Sequence, residues 1–209
     1  MKKVYDYWMP DTDTHFERLI TKRISNGGPA QYQDDVRTEA YKYVSDFDRA
    51  LDVGANVGLW TKHLAEEFHQ VIAFEPIEEI YNCLKLNVAG KNVVTNHFAL
   101  GNHNSKIDLV VNKENTGASY VNKDSMGSGS IDIKRLDDLD IDRFGLLKID
   151  CERYELEVLR GATETILFYK PIIIVEQHPD TGYCAGEYLK SLGAIELTNV
   201  RKDYIFGWN

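Results

Sequence analysis

One stretch constrains this chain more than any other. Leu51-Asp52-Val53-Gly54-Ala55-Asn56-Val57-Gly58 reads as a short apolar strand running through a glycine turn into a helix, and Val71-Ile72-Ala73-Phe74 as the next strand. Two strands joined through a helix lie parallel, and a parallel sheet needs helices on both faces. Gly54 permits the sharp turn, and Gly58 lets helix and strand approach closely. A ligand of such a sheet sits beyond the carboxyl ends of its strands, where helix N-termini present free N–H groups.

The alternation continues along the chain. Helices are expected over Val57–Phe68 and Glu78–Val88, and a strand over Asn92–Phe98. After a strand at Lys106–Val111, residues 112–130 are rich in Asn, Gly and Ser and read as an excursion that can cover a site. The parallel pattern resumes with a strand at Phe144–Ile149, a helix at Tyr154–Tyr169, a strand at Pro171–Val175 and a helix at Gly186–Leu192. Ile195–Val200 and Tyr204–Phe206, linked by Arg201-Lys202-Asp203, are expected to form an antiparallel pair at one sheet edge. Ahead of all this, apolar residues at helical spacing predict helices over Asp11–Ser25 and Asp34–Phe47, separated by Asn26-Gly27-Gly28-Pro29. The expectation is an α/β, doubly wound, Rossmann-like sheet over residues 49–209, preceded by an N-terminal helical segment, 1–48, that serves as a lid.

Composition excludes several alternatives. With 43% hydrophobic and 27% charged residues over 209 positions the chain is an ordinary globular one, long enough for a core. No apolar run approaches the roughly 20 residues of a membrane span. No apolar segment follows Met1, so no secretory signal is expected. The net charge of −9 weighs against nucleic acid as a partner. Three scattered cysteines make no disulfide framework and suit a reducing compartment, so the cytoplasm is the expected location.

Glu75 follows the second strand, 17 positions after Gly58, where a carboxylate can accept hydrogen bonds from both ribose hydroxyls of an adenosine cofactor. A dinucleotide fingerprint would carry a second glycine to admit pyrophosphate; this chain has Asn56 there. S-adenosylmethionine (SAM) needs no such opening, and Asp52 is suited to its methionine ammonium. SAM is therefore favoured over NAD.

The stretch from Tyr43 to Trp208 resembles the FkbM family of class I SAM-dependent methyltransferases. The resemblance rests on Leu51–Gly58, Ala73-Phe74-Glu75-Pro76, Ala99-Leu100-Gly101, Leu136-Asp137-Asp138-Leu139, Leu147-Lys148-Ile149-Asp150-Cys151-Glu152, Glu155–Ala162 and Ile174-Val175-Glu176. It implies a seven-stranded class I methyltransferase sheet, mostly parallel with an antiparallel C-terminal strand, and O-methylation of a hydroxyl, often on a sugar or natural product. The compact form with its Tyr-Gln-rich lead-in is similar to phage-encoded members. The cofactor set is then Asp52, Gly54, Ala55, Asn56, Gly58, Glu75, Pro76 and Ala99. The family usually has glycine after Asp-x-Glu, whereas this chain has Arg153, a cation at a helix start that calls for a compensating carboxylate or ligand.

Candidate catalytic groups are Asp150, at a strand end facing the methyl, and Glu176 and His178, at the end of the neighbouring strand. They can form a base cluster or hold a hard divalent cation. Against this stand plain roles: helix capping for Asp150 and Glu152, and a His-Pro turn for His178. Tyr32, Arg37 and Arg153 are the candidate substrate contacts, with the 27–37 segment and the 112–130 excursion folding over a small-molecule or glycan acceptor. Two rivals remain: a SAM-binding protein of the same fold without catalysis, and a nicotinamide oxidoreductase.

Overall fold

The computed structural model describes the backbone of residues 1–209 and the side chains of all but Lys123. The chain opens with a hairpin, β1 (Lys2–Val4) and β2 (Tyr7–Met9), followed by α1 (His15–Ser25) and α2 (Asp34–Tyr41). Then come β3 (Arg49–Val53), α3 (Thr61–Glu67), β4 (Gln70–Phe74), α4 (Glu78–Asn87), β5 (Val93–Asn96) and β6 (Ala99–Leu100). The middle holds β7 (Ser105–Val110), β8 (Tyr120–Asn122) and β9 (Ile131–Lys134). The remainder is β10 (Leu146–Ile149), α5 (Glu155–Arg160), α6 (Thr163–Tyr169), β11 (Ile172–Glu176), α7 (Cys184–Ser191), β12 (Ile195–Val200) and β13 (Asp203–Gly207).

Seven strands form the main sheet in the order β12-β13-β11-β10-β3-β4-β5. β3 pairs in parallel with both β4 and β10, while β13 runs antiparallel to β11 and β12. The chain therefore builds outward from β3 to β5 and then returns to the other side of β3. That reversal opens a crevice above the carboxyl ends of β3 and β10, where such sheets take ligands.

Alternate residues of each strand face opposite sides, so two cores form. Leu51, Val53, Leu147, Ile149, Ile173 and Val175 pack on one face, and Ala50, Leu146, Ile174, Ile205, Trp60 and Leu64 on the other. Lys148 and Asp52 are register partners on the second face, which puts two charges within an otherwise apolar layer.

Three local expectations differ from the structure. The helix expected to reach Phe47 ends at Tyr41, yet Val44 is still buried and Phe47 packs against the core; the apolar spacing marked burial, not helix. The helix expected over 154–169 breaks into α5 and α6 at Gly161, where the Gly101 carbonyl oxygen lies 1.8 Å from any Cβ that could be placed there. The middle excursion carries one short strand, β8, which joins the expected β7 and the unforeseen β6 and β9 in a second sheet. The leading hairpin was also not foreseen. Its Tyr7 and Met9 share a buried cluster with Phe16, Ile20, Val57, Leu59, Ile80 and Cys83. Among the described residues no helix is long and apolar enough to cross a membrane.

Candidate active site

The turn after β3 is held by backbone geometry. Gly54 (φ +79) and Asn56 (φ +50) are left-handed, and the Gly54 and Ala55 N–H groups donate to the Phe74 carbonyl at 3.1 and 3.0 Å. The Asn56 N–H donates to Glu75 Oε2 and the Ile77 N–H to Glu75 Oε1, each at 2.9 Å. Glu75 is thus a buried carboxyl steered by two backbone donors, and burial pushes its pKa up to about 7. Gly58 (φ +87) lies against Leu84 of α4, with a Cβ there only 2.8 Å from Leu84 Cδ1, so its close approach is to a helix and not to a strand.

A cleft with about 1160 Å³ of empty space opens over this turn. Gly54, Ala55, Asn56, Glu75, Pro76 and Ala99 line it. Asp150, Glu152, Glu176, Lys148 and Tyr32 line it as well, with Asp150 next to Gly54. Glu152 is pushed up to about 7 and Glu176 to about 8, in each case by burial first and then by the neighbouring Asp150. His178 is buried behind Glu176, with Nε2 3.0 Å from Glu176 Oε2 and its own pKa lowered by burial. Burial thus disfavours the charged form of each partner in this contact.

The expected trio stays on one side of the sheet crevice but divides its close contacts. Glu152, not Asp150, joins Glu176 and His178 in a group whose ligand atoms lie within 4.8 Å of one another. Asp150 instead pairs with Lys148 at 3.5 Å. Asp52 is fully buried and off the cleft wall; its Oδ2 accepts from Thr61 Oγ1 at 2.6 Å and its Oδ1 is 3.4 Å from Lys148 Nζ. Arg37 is also off the wall: it donates to the Tyr32 carbonyl and lies 5.3 Å over the Trp60 ring, so it shapes the segment that carries Tyr32. Arg153 turns outward to Asp180, 2.9 Å away, which is the compensating carboxylate its helix-start position calls for. Its φ of +73 explains why glycine suits this place.

Lys148 and Gln33 line the cleft as well, held there in part by contacts across the sheet. Gln33 accepts from Trp60 Nε1 at 2.6 Å and reaches Asp203 Oδ2 at 3.3 Å, bridging the lead-in to two parts of the sheet.

Residues 115–117, 119–121 and His15-Phe16 also line the cleft. Buried Asp13 latches these two segments together. Its Oδ1 accepts from Phe16 N–H at 2.9 Å, and its Oδ2 from Thr116 N–H at 3.1 Å and Thr116 Oγ1 at 2.6 Å. Thr116 Oγ1 is in turn 3.1 Å from Asn56 Oδ1, within the turn itself. Asp13→Ala orphans two buried backbone donors, so it should cost about 1–3 kcal/mol of stability. It should also raise hydrogen exchange at Phe16 and Thr116 well above that at β3. Unchanged protection at both amides would show that the latch does not hold the segments.

Comparison with known proteins agrees with this geometry. The family model of the methyltransferase FkbM domain matches residues 52–192. No curated protein matches the chain closely enough to count as a relative. Among solved structures, methyltransferase FkbM from Methylobacillus flagellatus is similar with a TM-score of 0.52 and 18% identity, over 78% of this chain and 44% of that one. This chain therefore spans less than half of that protein. Precorrin-8w decarboxylase from Methanobacterium thermoautotrophicum has a TM-score of 0.53 at 17% identity, covering 87% of this chain and 93% of its own. A protein of the NADB-Rossmann superfamily from Streptococcus agalactiae has a TM-score of 0.53 at 14% identity, covering 85% and 67%. At these identities the likenesses show the fold, a Rossmann-like class I sheet. The family comes from the domain match: this chain belongs to the FkbM methyltransferases.

Proposed function

We propose that this protein transfers a methyl group from SAM to a hydroxyl of a small-molecule or glycan acceptor. The observation that carries the cofactor half is Glu75. Each of its oxygens already accepts one backbone N–H, and each keeps a lone pair for a ribose hydroxyl. A buried carboxyl with a pKa near 7 lacks full compensation, and a ribose diol supplies it. Gly54, Ala55, Asn56 and Gly58 form the turn beneath the cofactor, with Pro76 and Ala99 at its adenosine end. The Asn56 side chain occupies the place where a dinucleotide fold keeps glycine, which favours SAM over NAD.

Bound SAM supplies an electrophilic methyl on a sulfonium and leaves as the neutral thioether. The chain positions the acceptor and takes its proton. Asp150 is the base nearest the cofactor turn, and the Glu176–His178 pair relays the proton away. Tyr32 walls the acceptor, Arg37 holds Tyr32 in place, and Arg153 stands at the outer rim. Glu152, Glu176 and His178 also have the chemistry of a divalent-cation site; the 3.0 Å contact between His178 Nε2 and Glu176 Oε2 favours the relay. Turnover that disappears in chelator and returns with Mg²⁺ would favour the cation instead.

Calorimetric titration tests the cofactor reading. SAM should bind and NAD should not. Glu75→Ala should weaken SAM by about ten- to a hundredfold, the worth of two hydrogen bonds to a charged acceptor. The site needs Glu75 ionised, so protonating the free protein's Glu75 opposes binding. Affinity should therefore fall by up to about tenfold per unit as pH drops below about 7. Equal affinity in a folded Glu75→Ala variant would remove this residue from the cofactor site.

A further inference from the structure

The cleft wall carries four carboxyl groups, Glu75, Asp150, Glu152 and Glu176, against one lysine and no arginine. That lysine, Lys148, is 3% exposed and sits between Asp52 Oδ1 at 3.4 Å and Asp150 Oδ2 at 3.5 Å, 5.5 Å from the centre of the Trp60 ring. Among the described residues its ammonium makes these two ion pairs and no hydrogen bond, although it has three N–H donors. Asp52 Oδ1 likewise has no hydrogen bond. A buried cation that reaches an acidic cleft with unused donors is matched to an anionic ligand group.

We propose that Lys148 pairs with the α-carboxylate of SAM, and that Asp52 is a positioning residue acting through Lys148. The inference rests on SAM being the cofactor, and it goes beyond that by fixing the methionine end. SAM has one anionic group, its carboxylate, and every other charged side chain on the cleft wall is acidic. Lys148 is thus the one charged partner the wall offers that carboxylate. Asp52 by charge alone would suit the ligand's ammonium, but it has no surface on the cleft; behind Lys148 it keeps the ammonium charged and fixed. Burial alone would lower the lysine's pKa, yet Asp52 and Asp150 raise it above the ordinary value.

The test compares SAM with decarboxylated SAM and 5′-methylthioadenosine by calorimetry. Four carboxyl groups favour the more cationic decarboxylated ligand, so a preference for SAM runs against the default charge of the cleft. The intact protein should nonetheless bind SAM about ten- to a hundredfold tighter than decarboxylated SAM, as a charge-assisted pair provides. Lys148→Met strands Asp52 as an uncompensated buried charge and risks unfolding. The paired variant Asp52→Asn/Lys148→Met removes both charges together. In it the preference should vanish while affinity for 5′-methylthioadenosine stays within about threefold; Lys148→Arg should retain part of the preference. An intact protein that binds both forms equally, or a paired variant that keeps its preference, overturns the assignment to Lys148 and leaves SAM as cofactor. If none of the three adenosyl compounds binds the intact protein, the cofactor reading fails, and this assignment with it.

Discussion

Gly54→Ala should destabilise the protein by about 3–5 kcal/mol, a left-handed strain added to an overpacked contact. At φ +79 an L side chain is already disfavoured, and its Cβ would lie 2.0 Å from the Asp150 carbonyl oxygen and 3.3 Å from Cys151 Sγ. Both amides flanking that carbonyl are tied down: Cys151 N–H donates to Glu155 Oε1 at 3.0 Å and Asp150 N–H to the Val53 carbonyl at 3.1 Å, so the chain leaving β10 is bonded to the chain leaving β3. Relief requires the two strand ends to separate by more than an ångström at the point where the cleft is built. Gly90→Ala is the control. Its φ is +75 with nothing within 4 Å of the added carbon, so it should cost only the backbone term of about 1–2 kcal/mol. Urea unfolding of both variants measures the difference. A Gly54→Ala midpoint no lower than that of Gly90→Ala would mean that the Asp150 carbonyl can move aside freely.

Asp150→Asn should reduce turnover by about 10²–10⁴-fold, the usual worth of a positioned general base. The variant keeps the side chain's size and leaves Lys148 with Asp52 as counter-ion at 3.4 Å, so the fold should survive. SAM affinity should change by no more than a few-fold, since Glu75 keeps its two backbone donors and Lys148 keeps Asp52. Incorporation of labelled methyl into the acceptor reads the first quantity and calorimetry the second. Turnover near that of the unaltered protein would pass the proton to the Glu176–His178 pair and leave Asp150 as a partner of Lys148 only. Loss of SAM affinity in step with turnover would make Asp150 a cofactor ligand.

The legible parts of this site were those in which one residue's role depends on its immediate neighbours. Gly54, Asn56 and Glu75 could be placed at the cleft because a strand, a turn and a helix start carry their own residue chemistry. Asp52 shows the opposite case. A carboxylate two residues before a glycine turn looks like a cofactor ligand, but its side chain points where the alternation of β3 sends it, towards Lys148 on β10. The contacts within the Asp150–Glu176–His178 trio depend on the same kind of reason. Neighbouring strands placed the groups side by side as expected, but the left-handed turn at Glu152 and Arg153 (φ +49 and +73) put Glu152 beside Glu176 and left Asp150 with the lysine.

By itself, then, the sequence determined the order of the strands of the main sheet, the glycine turn, the acid that follows the second strand and the antiparallel edge pair. Each of these is written in periods of two or 3.6 residues or in turn chemistry, which act over a few positions. Tertiary structure alone decided that Asp52 backs Lys148, that Arg153 leaves the cleft for Asp180, and that Asp13 ties the lead-in to the 112–121 segment. Asp13 and Thr116 are 103 residues apart, and Lys148 and Asp52 meet only because the chain returns to the far side of β3. Such meetings depend on register and on the burial of two whole core faces, which no short window of residues contains.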